Sequence, residues 1–309
     1  PRMGFALLAA CMMGLGEPMS VLCNFVGYPS PYISEHRRKM QAEQGSASQQ
    51  LLSDHHDLLM TYYTVKDYPH NQLESVCRQL FLDYKVLRQV TEAVDQTIGI
   101  LTQMGLTESA GMASCRGWLS MLGTHKEDPS HRRAWEMLTF LIGIGTEHFA
   151  LRHEGRRVWL DVQRSCSVTC SAAIPEVPVW DSLHPFFLVG ELRENDWYSS
   201  CKGVTAASPV ATILGASRDL KYDDNRSCAT IDGWAPVQMD QEIAASLGLM
   251  QTSLKICMLQ FASNPAASSS DPLIHAFTDV VAQLCDPGEP KDCDVSADDV
   301  VVVEKAIPG

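Results

Sequence analysis

A chain of 309 residues, 45% hydrophobic and 20% charged, holds enough apolar material for one large core or two ordinary ones, which excludes a disordered polymer and a collagen. The net charge of −13 is lopsided: residues 1–165 carry 16 Lys/Arg against 17 Asp/Glu, and residues 166–309 carry 8 against 20. The acidic half lacks the clustered cations that a phosphate backbone demands, so nucleic acid is not expected as a partner of residues 166–309.

In chain order, the first apolar run is Met3–Gly16, followed by Glu17-Pro18. It is shorter than the ~18–20 residues needed to cross a bilayer, so a buried first helix is the preferred reading and membrane attachment through residues 3–27 the alternative. Ser46–Val65 repeats apolar residues at Leu51, Leu52, His55, Leu58, Leu59, Tyr62 and Tyr63, which predicts a helix, and Pro69 blocks its continuation. The clearest signal is Gln72–Gly105, where Leu73, Cys77, Leu80, Tyr84, Leu87, Thr91, Val94, Ile98 and Leu101 alternate at spacings of four and three. That is the seam of one long helix, with Gly105 at its C-cap. Thr107 starts a further helix to about Gly123, and Pro129 another to about Arg152. Residues 1–154 therefore read as an antiparallel helical bundle domain.

Near residue 155 the period changes to two: Val158, Leu160, Val162, Cys166, Val168, Cys170, Ala172 and Ile174 share even positions, which predicts a strand. Pro175–Pro185 reads as an irregular connection, and helices resume at Ser208-Pro209, Asp240 and Asp271-Pro272, the last ending near Cys285. Residues 155–285 are thus expected to form a mixed α/β region packed on the bundle. The tail, residues 286–309, carries seven acidic residues, two lysines and the run Val300, Val301, Val302 and Val303, a strand suited to a sheet edge of this or another chain.

Eleven cysteines without a CxxC pair read as reduced, buried thiols, which gives an intracellular, cytoplasmic location as the expectation. Asn225-Arg226-Ser227 is a glycosylation acceptor only in an exported chain. No GxSxG, HExxH, GxxxxGK, ExxH or EF-hand pattern occurs. Asp54-His55-His56-Asp57 holds ligand chemistry, but adjacent histidines on a helix diverge by ~100°, so His55 reads as a hydrogen-bonded core histidine. His148 and His153 are five apart, about 140° on a helix, which is poor spacing for one ion beside Glu147 and Glu154. Asp223-Asp224 invites comparison with the magnesium motifs of class I terpene cyclases, yet a third aspartate at the needed spacing is missing and a strand has no place in that fold, so a turn is the better reading. Cys166 and Cys170 would sit ~13 Å apart along a strand, too far to bond, and a thiol near Asp181 and His184 is the remaining catalytic thought. Gly143-Ile144-Gly145 lies in a helical pattern and reads as close packing.

The only basic concentration is Arg152, His153, Arg156, Arg157 and Arg164, suited to an ion-pair seam with acidic segments. The expectation is a mainly α, non-enzymatic assembly or scaffold subunit of a larger complex, of the kind found in a viral shell. It would bind other protein subunits as a homo- or hetero-oligomer through helical faces, through Arg152, Arg156, Arg157 and Arg164, and through Val300, Val301, Val302 and Val303. No catalytic residue, cofactor or metal is assigned. The alternative is an enzyme with His, Asp and Glu groups inside the bundle.

Overall fold

The computed structural model describes residues 2–33, 53–106, 129–146, 148–152, 157–161, 166–170, 185–194, 199–265 and 271–284. Among them helices take the larger share, and the protein is mainly α. The N-terminal helices are α1 (Arg2–Met12), α2 (Gly16–Phe25), α3 (Asp54–Val65), α4 (His70–Gln79), α5 (Tyr84–Gln103) and α6 (Pro129–Gly145). In α1, Ala6, Ala9 and Ala10 are completely buried. Small side chains let α1 approach α2 and α6 closely, and a Cβ on Gly145 would collide with the Met3 side chain and crowd Ala6. The apolar first segment is thus a core helix, and among the described residues no helix is long and apolar enough to cross a membrane.

The long seam is divided. Leu73 and Cys77 are buried on α4, and Leu87, Val94 and Leu101 on α5, but Leu80 is exposed and Phe81 has a φ of 55°. The chain leaves the helix because residues 81–83 pair instead with residues 31–33: Ile33 N donates to Phe81 O, Asp83 N donates to Pro31 O, and Tyr32 bridges Leu82. The Asp83 carboxylate then accepts from Lys85 N and Val86 N and restarts the helix. A side chain that caps outcompeted a periodicity that ran straight through it. α3 starts at Asp54, capped by Ser53; the first part of the expected helix over residues 46–52 lies outside the described residues, as does the helix expected from Thr107 to Gly123.

A second correction concerns residues 146–152. The helix expected to run to Arg152 ends at Gly145, and His148–Arg152 is strand β1. Phe149, Ala150 and Leu151 pair with Leu188, Phe187 and Phe186, so ladder partners forty residues away decided this segment against its helical pattern. Residues 1–154 are therefore not wholly helical. The single strand expected over 158–174 is two, β2 (Arg157–Asp161) and β3 (Cys166–Cys170), folded antiparallel. With β4 (Phe186–Glu194) and β5 (Ser199–Ala207) they close a barrel in the order β1-β2-β3-β5-β4, in which only β3 and β5 run parallel. This is the order of a five-stranded Greek-key barrel, and a barrel topology by itself argues no ligand. Phe186, Phe187, Leu188 and Val189 are buried in succession, so β4 is covered on both faces, inside the barrel and outside it.

Ser208 caps the short turn α7 (Pro209–Ala211), which continues as a π-helical turn over Thr212–Ala216. Gly143 and Gly215 bring this turn against α6, since a Cβ on Gly215 would lie 2.6 Å from Phe140 O. The expected packing role of the Gly143-Ile144-Gly145 segment is what the contacts display. Strands β6 (Leu220–Asp223), β7 (Cys228–Ile231) and β8 (Ala235–Gln238) form a second antiparallel sheet, tied to the barrel by Trp234 stacked on Phe149 at 5.0 Å. The last two helices, α8 (Gln241–Ser263) and α9 (Pro272–Leu284), lie where the sequence puts them. Asp271 caps α9 through Leu273 N, whereas Asp240 precedes α8 without a side-chain cap.

Candidate functional site

Two places in the fold depart from the rule of apolar inside and polar outside. The first is the joint where the start of α3 meets β5. Ser53 is extended, forms an isolated bridge with Thr205, and its Oγ accepts from His56 N to open the helix. The same Oγ lies 2.7 Å from His56 Nδ1 and 2.8 Å from Thr205 Oγ1, and Thr205 Oγ1 lies 2.8 Å from His55 Nδ1. The result is a buried chain His55–Thr205–Ser53–His56, flanked by Asp54, whose carboxylate accepts from Val204 N at 2.8 Å. His56 stacks on Trp135 of α6 with ring centroids 3.6 Å apart.

His55 fits only because its neighbours on the barrel lack side chains. A Cβ on Gly190 would approach His55 Nε2 to 3.4 Å, and Gly203, at φ +62°, would approach the ring at 3.6 Å. Burial pushes the His55 imidazole down from 6.5 to about 4, so it is neutral at pH 7. The reading of His55 as a hydrogen-bonded core histidine is correct. Its partners were invisible in the sequence because Thr205 is 150 residues away; the Ser53 cap was the one local signal.

A serine within 2.7 Å of an imidazole has the distance of a nucleophile and its base, but bonding capacity decides otherwise. Ser53 Oγ has one hydrogen and two lone pairs, and its three partners, His56 N, His56 Nδ1 and Thr205 Oγ1, use all of them. No lone pair is left to attack a substrate. The chain is a joint.

The second place is α8. Ala244, Leu247, Leu254, Cys257, Met258 and Phe261 face the core. On the opposite side Leu249 is 70% exposed, Leu259 65% and Ile256 47%. With Ala245, Thr252 and Ser263 they fall at spacings of four and three, the seam of a helix that pairs with another helix. Between Glu242 and Asp271 the sequence holds a single charge, Lys255. The helix thus has apolar stripes on both sides, and the outward one has no structural task inside this chain.

The remaining candidates are accounted for as follows. His148 is exposed at the start of β1; His153, Arg156, Arg164, Asp181, His184 and Val300, Val301, Val302 and Val303 lie outside the described residues. Arg152 ends β1 and Arg157 begins β2, in strands paired antiparallel. Cys166 and Cys170 are the two ends of β3. Asp223 is a turn former, accepting from Asn225 N at 2.9 Å, and Asp224 is exposed beside it. Among the described residues no three His, Cys, Asp or Glu side chains converge as an ion would require. A comparison of the sequence with models of known protein families finds no match.

Proposed function

We propose that the protein is an assembly subunit, as its sequence suggests, and that it associates with a second copy of itself through the outward face of α8. The observation that carries this reading is the exposed seam Ala245, Leu249, Thr252, Ile256, Leu259 and Ser263. An antiparallel pair centred at the level of Leu254 sets Leu249 of one copy against Leu259 of the other, Thr252 against Ile256, and Ala245 against Ser263. Every large residue then meets an apolar partner and the small ones meet at the ends. Such a surface is self-complementary, as a two-fold interface must be.

Charge supports the same partner. A chain of net charge −13 repels its own copies, and a contact between copies is best made where carboxylates are absent. The flanking positions Ser246, Gly248, Ser253, Gln260 and Ala262 are neutral, with Lys255 the only ion. A helix of 23 residues is ~35 Å long, so a contact band ~15 Å wide covers about 500 Å² on each copy. The total, about 1,000 Å², is at the lower bound for a specific interface, which sets the expected affinity in the micromolar range.

Sedimentation of the full chain across a hundredfold concentration range tests this. A reversible monomer–dimer equilibrium that Leu249→Asp with Leu259→Asp abolishes is the expected result. A dimer indifferent to both substitutions, or a monomer at every concentration, refutes α8 as the contact.

A further inference from the structure

We propose that the joint between α3 and the barrel is an acid-released latch: a proton added to the chain His55–Thr205–Ser53–His56 leaves a buried hydroxyl hydrogen without an acceptor and frees the start of α3 from β5. The argument is a count of hydrogens. With both imidazoles neutral, the three bonds of the chain use the Ser53 hydrogen, the Thr205 hydrogen and one Nδ1 hydrogen. The chain can run in either direction, from His56 to His55 or the reverse, and each direction satisfies every hydrogen. Ser53 Oγ also accepts from His56 N, which fills its second lone pair.

Now let His55 carry a charge. Both Nδ1 atoms then donate inward, Ser53 must donate to Thr205, and the Thr205 hydrogen has nowhere to go. Thr205 is fully buried, so no water reaches that hydrogen. An orphaned donor in a dry site is a large penalty, and the imidazolium itself loses its hydration. Both costs vanish when α3 lifts from β5.

Few ions are placed to compensate. On α3 itself, Asp54 is committed to Val204 N and Asp57 is exposed. From β4, Glu191 follows the Gly190 that meets the His55 ring, exposed and opposite Lys202 in the strand register. From β5, Thr205, Val204 and Gly203 bring no charge to the ring. On α6, Glu136 neighbours Trp135 and accepts from Ser208 Oγ. Burial is the only cause lowering the His55 imidazole, so its protonation is resisted by the closed joint and not by a neighbouring cation. The bonds that release would break hold one short stretch: the Ser53–Thr205 bridge, Asp54 to Val204 N, and His55 to Thr205.

Amide hydrogen exchange on the full chain, corrected for intrinsic rates, reads the latch directly. Protection of amides at the start of α3 and in residues 203–207 is expected to fall by about two orders of magnitude as pH drops from 6.5 to 4, the ratio that the displacement of His55 from 6.5 to about 4 implies. Protection of α5 should change far less. His55→Asn keeps a bonding atom near Nδ1 and cannot take the proton, so its protection in these segments should be flat across that range. The same pH dependence persisting in His55→Asn overturns the proposal, because another group is then responsible. If that variant does not fold, imidazole NMR of the unaltered chain decides: a His55 midpoint near 6.5, or α3 protection unchanged down to pH 4, overturns it as well.

Discussion

The α3–barrel joint and the outward face of α8 invert the usual distribution of polarity in opposite senses. At the joint, Ser53, His55, His56 and Thr205 are polar and buried; on α8, Leu249, Ile256 and Leu259 are apolar and wet. The joint is tolerable because each of its hydrogens has a partner, so its contribution is specificity of docking, and its cost appears only when a partner or a neutral charge state is lost. The α8 stripe is tolerable because apolar exposure costs little fold stability, and its consequence is association. One region should therefore respond to mutation in stability and the other in oligomeric state.

The largest effect on stability is expected at Ser53. Ser53→Ala removes a helix cap and strands Thr205 and His56 in a buried site, and should lower the unfolding free energy by about 3–4 kcal/mol in urea titration. A loss below 1 kcal/mol would mean that the chain of bonds contributes nothing to docking.

Acid should come next. The folded His55 imidazole sits at about 4 against an unfolded value of 6.5, so the unfolded state binds more protons between those limits. Stability is then full above pH 6.5, declines as pH falls towards 4, and adds no further loss from this group below it. The integrated loss is about 3 kcal/mol, checked as the difference between the pH profiles of the unaltered chain and His55→Asn.

Gly203→Ala places a side chain at φ +62° beside the His55 ring and should cost about 1–2 kcal/mol, measured by thermal unfolding. The smallest stability change, within about 0.5 kcal/mol, is expected for Leu259→Ser, which lies on the exposed side of α8. That same substitution should weaken dimerisation at least about tenfold by sedimentation, since the lost contact exceeds the ~1.4 kcal/mol that corresponds to a decade. A large stability loss with unchanged association would reverse the assignment of the two regions.

Much of the helical architecture was legible locally. Asp271-Pro272 and Ser208-Pro209 mark helix starts by side-chain capping and a preset φ, both properties of a few adjacent residues. The core position of His55 was legible too, because it falls on an apolar stripe. The break at Leu80–Asp83 and the strand at His148–Arg152 were not, since both depend on partners far away in the chain, at residues 31–33 and 186–189. Most of the barrel escaped for the same reason: β4 is buried on both faces and shows no alternation to read. The α8 seam was present in the sequence but indistinguishable from a core stripe, because periodicity reports that a face is apolar and says nothing about which way it points.

By itself the sequence determined where chains of local hydrogen bonds begin and end, which residues are apolar, and how charge is divided between the halves, all matters of neighbouring residues and counting. Tertiary structure alone decided that Thr205 would meet Ser53 and His55, that Gly190 and Gly203 would make room for a ring, and that one side of α8 would remain outside the core. The physical reason is that hydrogen-bond satisfaction and burial are properties of space, and a chain reveals them only after distant segments have been brought together.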